Sequence, residues 1–251
     1  AHNVEHNYYK HLAKAEKNEL RKHYFKTEAK KLKLFETVIK HANLCITVTH
    51  SDTDYFKNTY PNLNTLLIPS FHYSNEVTSN SDLGKYVLYH GNLSVTENIN
   101  AAKFIIKKVV SDLKVPLIIA GLNPDKKLEQ LINNHANCKL IANPTDDELN
   151  TLIADAQINL LYTEQATGLK LKLLNVLYNG KHCLANNKML VGTGLEQCCN
   201  IANNAKDMQN TLSELMDKSF TENDINARKK LLSENYSNTN NITRLIENIT
   251  F

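Results

Sequence analysis

From Lys85 onward the chain alternates short apolar runs with segments of helical period. That order implies a parallel sheet joined by right-handed crossover helices. The runs fall at residues 86–89, 117–120, 138–142, 158–162, 182–185 and 200–202, each of a length and composition suited to a strand buried in such a sheet. Ile99, Ala102, Ile106 and Val109 mark the first intervening helix, and Ser94 with Glu97 has the spacing of a capping box before it. A second helix is predicted from Pro124 to about Asn133, and a third to Ala154 behind a Thr145–Glu148 capping box. Residues 205–216, 222–234 and 241–248 read as closing helices.

The centre of this pattern is residues 158–186, INLLYTEQATGLKLKLLNVLYNGKHCLAN, which reads as strand, loop, helix and strand. From Leu169 the Leu-Lys alternation could pass for a half-buried strand, but Leu173, Leu174 and Leu177 continue it at helical spacing until Gly180 stops it. Lys170 and Lys172 then stand in the first turn, where the helix dipole is already positive and each costs about 0.3–1 kcal/mol if unanswered. A phosphate or diphosphate would answer them, together with the free first-turn amides and the close backbone approach that Gly168 permits. The alternative, that both lysines are solvated and Gly168 only makes the turn, stays open at this level.

The first 83 residues differ in texture. Residues 6–42 form a lysine-rich, mostly helical stretch, one helix or two, with an intermittent apolar stripe of Leu12, Tyr24, Leu32, Phe35 and Ile39. Its basic face is a solvated surface or one drawn to anionic lipid head groups. Strands at 44–49 and 65–68 flank a short helix at 52–60, and 70–83 is a polar linker. Two strands are too few to close a doubly wound sheet, so this part is expected to be the tail of a domain. A net charge of +3 is too small to imply a nucleic-acid partner. The absence of a spanning apolar run or a signal-peptide pattern gives the expectation of a cytoplasmic protein, peripheral at most to the inner face of a membrane. The five cysteines lack metal-ligand spacing and are expected to be inert thiols.

The 158–186 segment resembles the donor-binding segment of retaining nucleotide-sugar glycosyltransferases of the GT-B fold, in the bacterial group 1, or family 4-like, branch. There two Glu residues, with seven residues between them, frame a glycine-containing loop and helix. Thr167 falls at the first Glu position and Asn175 at the second, so both carboxylates are replaced. The resemblance extends to HNVEHNYY at 2–9 and IPSFH at 68–72, similar to the second half of the family's N-terminal domain. It implies an α/β chain with three parts: residues 1–78 as a partial N-terminal, acceptor-side segment with long helices and a linker, 79–220 as a Rossmann-like donor-binding domain, and 221–251 as helices crossing back.

Residue roles follow from the same resemblance. Lys170, Lys172, Gly168 and Leu169 would hold the donor diphosphate, Asn175 the ribose, and Thr167 the sugar side. The Gly91 turn is a phosphate-loop candidate, with Asn92 where the family often has Arg. The loop at Asn143 would lie over the base, an ordinary strand-to-helix turn being the competing reading. His2, with Glu5 one turn on, would face the acceptor. The expected reaction moves a hexose from a nucleotide diphosphate sugar to a hydroxyl of a glycan or lipid-linked acceptor in polysaccharide synthesis, with no metal. The rivals are a degenerate nucleotide-sugar-binding partner protein, a nucleotide-sugar epimerase of the same architecture, and a basic adaptor acting through the N-terminal helices. With two strands in its first part, the chain as given is expected to bind donor without transferring sugar.

Overall fold

The computed structural model describes every residue except Lys17, Thr167, Leu169, Thr250 and Phe251. Helices α1 (Glu5–Ala15) and α2 (Glu19–Phe35) pack as a hairpin, and Asn18 caps α2 by accepting from the amides of Leu20 and Arg21. A 3-10 turn, Glu36–His41, leads to β1 (Cys45–Thr47), α3 (His50–Thr59) and β2 (Thr65–Leu67), with β1 and β2 paired in parallel. Polar groups tie the hairpin to this unit. Glu36 accepts from Tyr55, Tyr60 and Lys33, and His6 Nε2 meets Tyr55 Oη at 2.9 Å.

Beyond a connecting segment come β3 (Val87–His90), α4 (Thr96–Phe104), β4 (Leu117–Gly121), α5 (Lys126–Asn133), β5 (Cys138–Ala142) and α6 (Asp146–Asp155). The second half follows as β6 (Ile158–Leu161), α7 (Leu171–Asn179), β7 (His182–Ala185), the short α8 (Asn187–Leu190), β8 (Asn200–Ile201), α9 (Ala205–Met216), α10 (Glu222–Asn235) and α11 (Asn238–Asn248). After Phe104, α4 continues as a π-helical turn through Val109.

The six strands lie in the order β5-β4-β3-β6-β7-β8, every pair parallel. This is the doubly wound arrangement: the chain works outward from β3, crosses back to β6 and works outward again, leaving a crevice at the carboxyl ends of β3 and β6. Alternate residues feed two cores. Val87, Tyr89, Ile119 and Leu160 pack toward α4, α5 and α9, whereas Leu88, Ala120, Leu161 and Cys183 pack toward α6 and α7. The fold class is therefore α/β, as the alternation predicts.

Three local expectations are corrected. The Ser94–Glu97 capping box does not form: α4 begins behind Val95 with no side-chain cap, Ser94 Oγ donates to Asn92 Oδ1 at 2.7 Å, and Glu97 turns to Thr163 instead. Helix α5 starts at Lys126, because Asp125 rather than Pro124 is placed to accept from the Leu128 amide. Helix α7 starts at Leu171, two residues late, because Lys170 is still extended, at φ −95 and ψ 105, and serves as the N-cap. The Thr145–Glu148 box forms as expected.

The C-terminal helices return to the first part of the chain. Arg244 donates to the Leu67 carbonyl, Asn238 exchanges hydrogen bonds with the His72 main chain, and His72 Nε2 donates to the Tyr236 carbonyl at 2.8 Å. The His72 ring also packs on Tyr178 of α7, with centroids 4.6 Å apart.

Candidate functional site

The crevice between β3 and β6 collects the charged groups. Lys172, in the first turn of α7, reaches back over β3 until its Nζ stands 5.4 Å from the centroid of the Tyr89 ring. Burial lowers its pKa to about 8 against the opposing pull of the Glu97 carboxylate, and burial lowers Lys170 as well. Lys170 is the N-cap of α7 and makes no side-chain cap, and the amides of Leu171 and Lys172 open the helix without an intrahelical partner among the described residues.

His90, the last residue of β3, is 4% exposed, and burial with the Lys172 charge beside it lowers its pKa to about 3, leaving a neutral ring. Its Nε2 is buried with no hydrogen-bond partner among the described residues. A cavity of about 540 Å³ opens here, lined by His90, Leu149, Leu171, Lys172 and Asn175 on one side and residues 71–74 of the connecting segment on the other.

The predicted residues divide. Lys172 and Asn175 line the cavity, Lys170 shares with Lys172 the field of Glu97, and Gly168 lies against the start of the chain. A Cβ on Gly168 would collide with Asn3 Oδ1, and the His2 carbonyl lies close by, so the start of the chain rests against the loop before α7. The His2 and Glu5 side chains are exposed and form no hydrogen bond or ion pair among the described residues. Asn175 is half-buried, accepts from Asn179 Nδ2 at 2.7 Å and donates to Asn150.

Gly91 keeps the β3 loop tight: a side chain on Gly121 would run into its carbonyl. Asn92 is turned to its own loop, accepting from Ser94 and Asn98. Asn143, at φ +52, accepts from the Asn123 amide at 2.8 Å and does not line the cavity. Thr167 and Leu169 lie outside the described residues.

Sequence reasoning missed His90, Glu97 and Thr163 as site residues. His90 was legible only as the start of a turn, and the capping-box spacing explained Glu97 away.

No protein-family model matches the chain, and no curated protein matches it in sequence. Solved structures do match in fold. One is TarM of S. aureus, a point mutant in complex with fondaparinux, alpha-GlcNAc-glycerol and UDP, at a TM-score of 0.64 and 15% identity over 84% of this chain and 44% of that one. HepE of Anabaena, in complex with UDP and glucose, gives 0.62 and 14% over 83% of this chain and 63% of that one. Sucrose-phosphate synthase of Thermosynechococcus elongatus gives 0.63 and 11% over 88% and 62%. The fold is that of the GT-B glycosyltransferases.

This GT-B chain spans less than half of TarM and under two thirds of the other two proteins. The parallel sheet and its flanking helices are the Rossmann-like part of the GT-B architecture. Among the described residues of this GT-B chain no helix is long and apolar enough to cross a membrane.

Proposed function

We propose that this chain binds a nucleotide diphosphate sugar and acts in transfer of its hexose, with retained configuration, to a hydroxyl of a glycan or lipid-linked acceptor in bacterial polysaccharide synthesis. The observation that carries the reading is the pair of desolvated lysines, Lys170 and Lys172, at the amino end of α7 in the topological switch crevice. Two cations close together and a helix N-terminus that aims its amides at the same point favour an anion there. TarM and HepE, whose structures hold UDP, share the fold, which supports a diphosphate as that anion.

In this reading the lysines and the amides of Leu171 and Lys172 stabilise the charge that grows on the leaving diphosphate. Gly168 and Gly91 let the ligand approach the backbone; the roles assigned from sequence to Thr167 (sugar side) and Leu169 (diphosphate amide) fall outside the described residues. Asn175 faces the ribose, Asn92 and the Asn143 loop border the nucleotide, and the buried His90 Nε2 offers a polar atom to the ligand. His2 and Glu5 belong to the acceptor side. A non-catalytic binder is the second reading, favoured by the replacement of both motif carboxylates and by the engagement of Asn175 with Asn179.

Thermal-shift and calorimetric screening with UDP, GDP and their sugars tests binding, since a ligand of the native state alone must stabilise it. Donor hydrolysis by the same samples separates enzyme from binder. If none of these ligands shifts the melting temperature, the reading fails.

The Lys172 pKa gives a pH signature. Its folded value, about 8, lies below the unfolded one, so burial of the charged form is penalised below pH 8 and the penalty is relieved as pH rises above it. A bound diphosphate favours the ammonium and raises the pKa again. Binding a little above the free protein's pKa should therefore take up a proton, and affinity should fall as pH rises through that window. Calorimetry in buffers of different ionisation enthalpy reads both; uptake of no proton removes Lys172 from the contact.

Placement at the cytoplasmic face of a membrane belongs to the same proposal. It is supported by a groove of about 620 Å³ between α1 and α2 lined by Lys10, Lys26, Lys30 and Lys33, with Leu20, Leu34 and Phe35 exposed on α2. Sedimentation with anionic vesicles that weakens with added salt is the expected result. Equal sedimentation with neutral vesicles would remove the electrostatic contact.

A further inference from the structure

A carboxylate acts on the two lysines of the anion crevice. Glu97, which does not cap α4, lies at the β3–β6 switch, where Thr163 Oγ1 just beyond β6 donates to its Oε1. Thr163 is fixed in turn. It is 2% exposed, its amide donates to Asn186 Oδ1 at 3.3 Å, and its carbonyl accepts from Asn186 Nδ2 at 2.8 Å. The Glu97 charge acts on Lys170 and Lys172 and also on Tyr8 of α1. A diphosphate resting on the two lysines must come near this carboxylate, which affinity alone would not select.

We propose that Glu97 makes the site discriminate by charge, holding the diphosphate of an intact nucleotide sugar in preference to the free nucleoside diphosphate left after transfer. The inference rests on the reading of this crevice as a donor site. In a nucleotide sugar each phosphoryl group is a diester with a single negative charge. Transfer forms a glycosyl bond to the acceptor oxygen, whose proton goes to solvent, and breaks the glycosyl–phosphate bond, leaving the electron pair on the terminal phosphoryl; this is now a monoester whose second ionisation lies near pH 6, so the product carries about three charges at pH 7. Two ammonium groups outweigh one carboxylate through the transfer step. The extra repulsion is felt by the product, whose release limits turnover in many enzymes. Glu97 is thus a specificity-determining residue of the diphosphate subsite.

The test measures dissociation constants by calorimetry at pH 7, where Lys172 is charged, and low salt for UDP against UDP-glucose and GDP against GDP-mannose. Glu97→Gln keeps the side-chain length and an acceptor for Thr163. It should tighten the free diphosphate about three- to tenfold more than the corresponding sugar, as expected for one unit charge removed at several ångströms in a partly solvated site. Glu97→Asp should keep the native ratio, and high salt should narrow the gap between the native protein and Glu97→Gln. The unaltered protein alone must bind the nucleotide sugar more tightly than the free diphosphate; the reverse order overturns the proposal whatever the variants do. An equal change for both ligands in Glu97→Gln, or no change, overturns it while leaving the donor site standing. Failure of all four ligands to bind the unaltered protein overturns the donor reading together with this one.

Discussion

Lys172→Ala weakens binding of a nucleoside diphosphate by about 1–3 kcal/mol, the expected loss for a charge-assisted hydrogen bond in a partly desolvated site. The size follows from position. Lys172 sits in the first helical turn, beside the free amides of α7 and above Tyr89, and its ammonium is desolvated enough to bring the pKa to about 8. Removing it takes away the ligand's partner and also a charge that the free protein holds at a penalty. The melting temperature without ligand should therefore hold steady or rise slightly while affinity falls, a combination that a packing defect would not give. Calorimetry beside a thermal melt reads both quantities, and an unchanged dissociation constant would remove Lys172 from the site.

Arg228→Ala should cost about 3–5 kcal/mol of stability, the range for buried carbonyls stripped of a shared donor. Arg228 is 2% exposed on α10 and makes no ion pair among the described residues. Its guanidinium stands 4.4 Å from the Phe220 ring centroid and donates to the carbonyls of Gly180, at 2.6 Å, and Lys181, with a longer contact to Leu177. Those carbonyls close α7 and open β7, so the loss is transmitted to the helix that presents Lys172. A lysine offers no planar fork for two carbonyls, and Arg228→Lys should recover only part of the loss. Urea denaturation measures it; a change below about 1 kcal/mol would mean that other donors or water take over the carbonyls.

The sheet was legible because strands covered on both faces need mostly apolar residues, as β6 and β7 have, and the runs at 138–142 and 182–185 and the helix at 205–216 begin and end where the residues predict. The start of α7 was less so. Leu-Lys alternation fits a strand or a helix, and only the extended backbone at Lys170 decides where the helix begins. Glu97 was hidden because a local pattern explained it, while the partner it takes, Thr163, is 66 residues away. Arg228 stands in an Arg-Lys-Lys run that reads as solvated surface; its burial is set by carbonyls 47 and 48 residues earlier. Local spacing carries information about local hydrogen bonds, and where a distant group competes for the same side chain it cannot say which wins.

Residues 71–74 wall the cavity from one side, and His72 in the middle of that wall is held by Tyr236 and Asn238 at the junction of α10 and α11. The seating of the C-terminal helix and the filling of the cavity are thus two equilibria sharing one side chain. Any ligand whose affinity depends on the position of His72 must shift the docking of α11 by the same factor by which that docking shifts its affinity. The C-terminal helix is in this sense an effector of the cavity carried on the chain itself, and its undocking would register at the crevice without either end of the chain touching the ligand.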